Sequence, residues 1–222
     1  KKAAREPYGQ HDQRHDAMLK LFGMGTQEAY KALFSRFAVN VNSPQWDEKE
    51  KGWLTEQLAL RADEPAFRSA LEEALMTADR LNPVIGLAKR CVASEDYIGL
   101  LRAAFELRAA DHRAADAKVE LISALGELGD ESALWAGLAA VADRSDEVIL
   151  AAVMVLEACD DDRASSALWG LAYDDLQMPR VVRRAGQALV RVGSKDPEGR
   201  SELPGDLAED FVLSEGRLVS RR

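Results

Sequence analysis

Residues 132–139 read Ser-Ala-Leu-Trp-Ala-Gly-Leu-Ala, and the same string returns at 166–172 with one residue deleted. The offset is 34 residues. Each copy is followed by a loop and then by a stretch rich in Val and Ala, 147–158 and 180–192, and a matching stretch, 118–128, precedes the first copy. Leu125, Leu156 and Leu189 fall in register at separations of 31 and 33 residues. Periods of this length belong to repeats built from one helix pair each. Extended backwards, the period predicts pairs beginning near residues 26, 64, 95, 131 and 164, with a further helix over 12–22. Helices this short cannot bury an apolar stripe alone, so each pair must stack on its neighbours. The expected fold is all-α, a right-handed α-α superhelix of about five helix pairs.

Local signals support the helices. Ser43-Pro44, Glu64-Pro65 and Asn82-Pro83 read as helix starts, with proline in the first turn, and Ser94 followed by Glu95 and Asp96 suits the positive end of a helix dipole. Trp46, Trp53, Leu54 and Leu58 then share a face at helical spacing, as do Phe67, Leu71, Leu75 and Met76. The apolar residues are mostly Ala, Leu and Val, and aromatics make up only 6%. Residues 194–210 carry Pro197, Gly199, Pro204 and Gly205, which punctuate rather than propagate a helix. Phe211-Val212-Leu213 and Arg217-Leu218-Val219, around Ser214-Glu215-Gly216, predict a small hairpin that must lean on something larger. The expected organisation is a basic N-terminal segment and capping helix over 1–25, a repeat region over 26–193, and a C-terminal loop with a possible hairpin over 194–222.

The repeat ending Leu125-Gly126-Glu127-Leu128-Gly129-Asp130 resembles HEAT repeats of the phycobilisome-lyase type. Glu28-Ala29-Tyr30, Leu33-Phe34-Ser35-Arg36-Phe37, Asp47-Glu48-Lys49-Glu50-Lys51 and the ending 211–219 resemble a group of bacterial HEAT-repeat proteins. The resemblance implies a HEAT-like solenoid. It carries no catalytic motif and no activity to transfer. Its closest functional implication is a lyase-like or chaperone-like role toward tetrapyrroles, against which stand generic repeats and scarce aromatic rings.

The chain has a net charge of −9, a pI near 5.0 and a mean hydropathy of −0.26. Residues 1–40 hold seven Lys/Arg against four Asp/Glu, and the remainder holds 22 against 34. An acidic body disfavours nucleic-acid binding or repair, which needs a positive footprint on phosphates. The small cluster Lys1, Lys2 and Arg5 could continue a basic segment that docks on an acidic surface or larger assembly. The chain opens on Lys1 rather than Met, so its native start is expected to be missing or processed. The longest apolar run, 148–156, is nine residues, against about 20 for a membrane span. Cys91 and Cys159 are distant and form no spacing motif, which fits free thiols in a reducing cytoplasm.

No enzyme motif emerges. Gly23-Met24-Gly25 follows a helical pattern, not a strand, and reads as a helix-to-helix turn. His11-Asp12 and His15-Asp16 put two imidazoles on one helical face, yet the only other histidine is His112. HEAT-like dinuclear iron hydroxylases use His-Glu pairs, and this chain has none. A solvated, frayed terminus is the expectation for both histidines, with no metal and no cofactor.

The expected function is therefore a non-enzymatic scaffold or adaptor that offers a helical-repeat surface to a protein partner. On the last long helix Arg180, Arg184, Gln187 and Arg191 form one stripe opposite Val181, Ala185, Leu189 and Val192. These polar residues are the first candidates for partner contact, either as a basic patch for an anionic peptide or as the polar outer face of a terminal repeat. Trp46, in the first turn of its helix, is the tryptophan expected at the surface, whereas Trp135 and Trp169 are expected in the core. Asp160, Asp161, Asp162, Asp174 and Asp175 fall at turns between helices. There they serve capping, or form an acidic rim for a basic partner.

Overall fold

The computed structural model describes residues 11–221 and is mostly helical. In chain order the helices are α1 (His11–Met24), α2 (Gln27–Phe34), α3 (Pro44–Ala59), α4 (Pro65–Thr77), α5 (Asn82–Cys91) and α6 (Ser94–Arg108). They continue with α7 (Ala115–Gly126), α8 (Asp130–Ala140), α9 (Asp146–Glu157), α10 (Asp162–Ala172), α11 (Pro179–Val192) and the short α12 (Gly205–Asp210). A 3-10 turn at His112–Ala114 leads into α7, and an antiparallel hairpin, β1 (Phe211–Ser214) and β2 (Arg217–Ser220), ends the chain. No helix among the described residues is long and apolar enough to cross a membrane. Residues 1–10, which hold the basic cluster Lys1, Lys2 and Arg5, lie outside the described residues.

The chain divides into two compact units, one ending at Leu107 and the other beginning at Arg108. In the first unit α2 packs along α4 and α3 along α5, so first helices of successive pairs meet first helices and second meet second. In the other, α8 packs on α10, while α7, α9 and α11 lie side by side as a layer. Helices α2, α4, α6, α8 and α10 begin within two residues of the starts that the period predicts.

Sequence explains most boundaries. Thr26 accepts a hydrogen bond from the Ala29 N–H at the start of α2, and Asp161 accepts one from Arg163 at the start of α10. Ser43 takes the N-cap position of α3, but its side chain makes no capping bond there. Helix α5 begins at Asn82 itself, with Leu81 in the cap position. Helix α11 stops at Gly193, whose left-handed φ of 68° lets its N–H reach the Leu189 carbonyl.

The repeated positions form the core. Leu125, Leu156 and Leu189 are all fully buried, each worth about 1.5–3 kcal/mol of transfer free energy. Trp169 is also fully buried and donates its Nε1–H to Ser194 Oγ at 3.1 Å. Trp135 departs from the expectation and is only half-buried. Beyond it the deletion breaks the alignment: Gly137 in the first copy lies so close to α9 that a Cβ there would stand 2.5 Å from Leu156.

The C-terminal hairpin forms as expected, in the register Phe211 with Ser220 and Leu213 with Leu218. Glu215 and Gly216 both take positive φ, 51° and 77°, the turn that suits a two-residue hairpin. Its support is α11: Leu207, Phe211 and Leu218 join the core formed by α10 and α11. A Cβ on Gly186 would meet Leu207 Cδ1 at 2.7 Å and Phe211 Cε2 at 2.8 Å. Buried Asp196 shapes the connecting loop by accepting from the N–H groups of Glu198 and Arg200.

Candidate interaction surface

Helix α11 puts its apolar residues against α9 and α10 and its arginines on the outer side, as the sequence pattern requires. The arginines do not stand alone. Arg180 donates from Nε to Asp146 at 2.9 Å and from Nη2 to Glu147 at 2.8 Å. Arg184 Nη2 and Arg191 Nη1 converge on the two oxygens of Glu157, at 2.5 and 2.6 Å. All three carboxylates belong to α9, one repeat earlier. Arg183 turns the other way, toward Glu209 and Asp210 of α12, at 2.9 and 3.0 Å. Gln187 is exposed beside them. Burial opposes charge on Glu157, but the hydrogen bonds from Arg191 and Arg184 outweigh it and hold its carboxyl below the usual range. Hydrogen bonds from Arg180 do the same for exposed Glu147. The stripe is thus a ladder of charge pairs between neighbouring helices, with little unneutralised positive charge.

Between those pairs, Met154 of α9 is 63% exposed. It lies on the same helical stripe as Glu147, Leu150 and Glu157. The layer formed by α7, α9 and α11 therefore presents an apolar spot flanked by paired charges.

The acidic residues mostly serve the backbone. Asp161 caps α10 and also accepts from the Arg163 guanidinium, which holds its carboxyl below the usual range. Asp174 accepts from the Leu176 N–H and from Gln177 Nε2, closing the turn before α11. Asp160, Asp162 and Asp175 are exposed. That turn also carries Leu176, 89% exposed, a feature with no signal in the helical pattern.

In the other unit Trp46 is 46% exposed, with the Lys49 ammonium 5.1 Å from its ring centre. Its second neighbour overturns an expectation. The His11 ring packs, tilted, against Trp46 at 4.6 Å and the His15 ring against Trp53 at 4.3 Å, so both histidines belong to a packed α1–α3 interface and not to a frayed end. Behind them lies Glu50, whose side chain is 1% exposed. It receives Arg14 Nη2 at 2.6 Å, His11 Nδ1 at 2.5 Å and Arg36 Nη2 at 2.9 Å. Arg36, wholly buried, also donates to Asp47 at 2.7 Å and to the Val39 carbonyl at 2.6 Å. Burial would raise the Glu50 carboxyl, but hydrogen bonds from Arg14, His11 and Arg36 pull it down to about 2. No motif in the sequence marks this network. A signal existed: Glu50 falls four residues before Leu54 and eight before Leu58, inside the apolar stripe of α3.

A second buried charge, Lys118 of α7, donates to Asp143 at 2.7 Å and to the Ala109 carbonyl at 3.0 Å. Tyr30, fully buried, donates to Glu64 at 2.5 Å, and burial followed by that carboxylate pushes its phenol up to about 12. Compared with known proteins, the chain matches no family model, no curated protein and no solved structure.

Proposed function

We propose that this chain is a non-enzymatic scaffold or adaptor of HEAT-like helical repeats, and that it offers the outer side of α7, α9 and α11 to a partner protein. Helix pairs at a recurring period, with like helices packed on like, are the arrangement of an α-α superhelix, the class to which we assign the repeats. The observation that carries the functional reading is Met154. An exposed methionine amid ordered charge pairs suits a surface that adapts to an apolar anchor while the rim sets register. Arg180, Arg184, Gln187 and Arg191 would form that rim, and their pairing with α9 pre-organises them for a partner with mixed charges. Trp46 and the acidic group Asp160, Asp161, Asp162, Asp174 and Asp175 are further points of contact in this reading. The tetrapyrrole and nucleic-acid alternatives gain no support, since the arginines of α11 are already neutralised.

The test is affinity capture from the source cells with the wild-type chain and with Met154→Glu and Arg191→Glu variants that keep the wild-type circular dichroism. A stoichiometric protein held by the wild type and lost by both variants supports the surface. Partners held equally by all three would reject it.

A further inference from the structure

The α1–α3 interface has the parts of a metal site. His11 and His15 are four residues apart on α1, with ring centres 5.9 Å apart and planes tilted by 39°. Side chains at this spacing on one helix can reach a common ion. The second, independent observation is Glu50. It is a carboxylate gripped by two arginines, so it can only accept, and His11 Nδ1 must carry the proton that bonds it at 2.5 Å. In the neutral ring that binds metal, the lone pair of His11 is thereby placed on Nε2, away from the carboxylate. A buried carboxylate that fixes the tautomer and orientation of a histidine is the usual second partner of a metal-bound imidazole. Here it is in place, anchored by Arg14 and Arg36. The His11 side chain is 33% exposed, so an ion has access.

We propose that His11 and His15 together bind a late divalent transition-metal ion, Cu2+ most tightly, with Glu50 as the positioning group for His11. The ligand set points to that class. Imidazole nitrogen suits copper, nickel and zinc, and among these the divalent affinity order peaks at copper. Calcium and magnesium prefer all-oxygen ligand sets, which a pair of imidazoles does not offer. An ion about 2.0–2.1 Å from both nitrogens sets the ring centres about 5 Å apart at a tetrahedral angle, against the 5.9 Å that separates the two rings in its absence. No group of three His, Cys, Asp or Glu side chains converges anywhere among the described residues. Water completes the shell, and the ion is exchangeable rather than structural. The site rests on nothing in the scaffold reading.

The two tryptophans make the site its own reporter, because each histidine ring lies within 5 Å of an indole. The experiment is a titration of the untagged full chain with CuCl2, following tryptophan fluorescence, repeated with ZnCl2 by calorimetry. Expected is saturable quenching at one Cu2+ per chain and a metal-dependent rise in Tm. His15→Gln, which leaves the Glu50 contact to His11 intact, weakens binding about tenfold or more. His112→Gln leaves it unchanged, and His11→Gln repeats the loss. Quenching that is absent, or equally strong in the folded His15→Gln and wild-type chains, overturns the proposal.

Discussion

At the scale of the residue, Glu50 is the group with most at stake. Three donors, His11 and Arg14 of α1 and Arg36 of the α2–α3 connection, are satisfied by one carboxylate. Removing its charge takes one anionic partner from two buried guanidinium groups, Arg14 and Arg36. Glu50→Gln should lower stability by about 3–5 kcal/mol, measured by urea denaturation. The pH dependence follows from the depressed carboxyl. Its folded-state value, about 2, lies below the ordinary 4.5. The network therefore contributes fully above pH 4.5 and loses its contribution as pH falls from there toward 2. Urea midpoints of the wild type should fall through that window, and those of Glu50→Gln should fall less. Gly186 is the second such residue. A Cβ there must displace Leu207 or Phe211, so Gly186→Ala should cost about 1–3 kcal/mol despite the better helix propensity of alanine. A stabilised variant would refute the close packing of the tail.

At the scale of the element, the hairpin shows how little local sequence can do alone. Two four-residue strands are marginal, and what holds them is Phe211 and Leu218 seated on α11. The turn itself carries a cost, because Glu215 adopts φ of 51°, a region that asparagine and glycine take more readily. Glu215→Asn should raise stability by about 0.5–1 kcal/mol, seen as a higher Tm with an unchanged fold. The charge ladder between α9 and α11 is likewise an element-scale device. Exposed ion pairs are individually worth about 0–1 kcal/mol, so they tune the seating of one repeat on the next more than they hold it.

At the scale of the whole molecule, charge decides what the surface can approach. The chain carries −9 overall, and the arginines of its most basic helix are matched by Asp146, Glu147, Glu157, Glu209 and Asp210. Duplex DNA should therefore show no mobility shift at low salt, where counterion release favours binding most. A shift that vanishes with added salt would mean an unneutralised basic face.

The sequence by itself determined the helices, their pairing period and the buried leucines. Those depend on periodicity, capping residues and the need of short amphipathic helices to stack, all of which are local or repeat every 34 residues or so. It also located the hairpin, whose turn residues are adjacent in the chain. What only the tertiary structure decided is which polar groups meet. Glu50 finds Arg14 across 36 residues, and Arg191 finds Glu157 across 34. Pairings of this kind depend on the offset between packed helices, which hydrophobic period alone does not fix. The same offset turned two histidines from a solvated end into rings packed against Trp46 and Trp53. It also left Trp135 half-buried while its repeat partner Trp169 became core. A single deleted residue rotates everything after it by about 100° on a helix, and only the packed neighbours determine which face then wins burial.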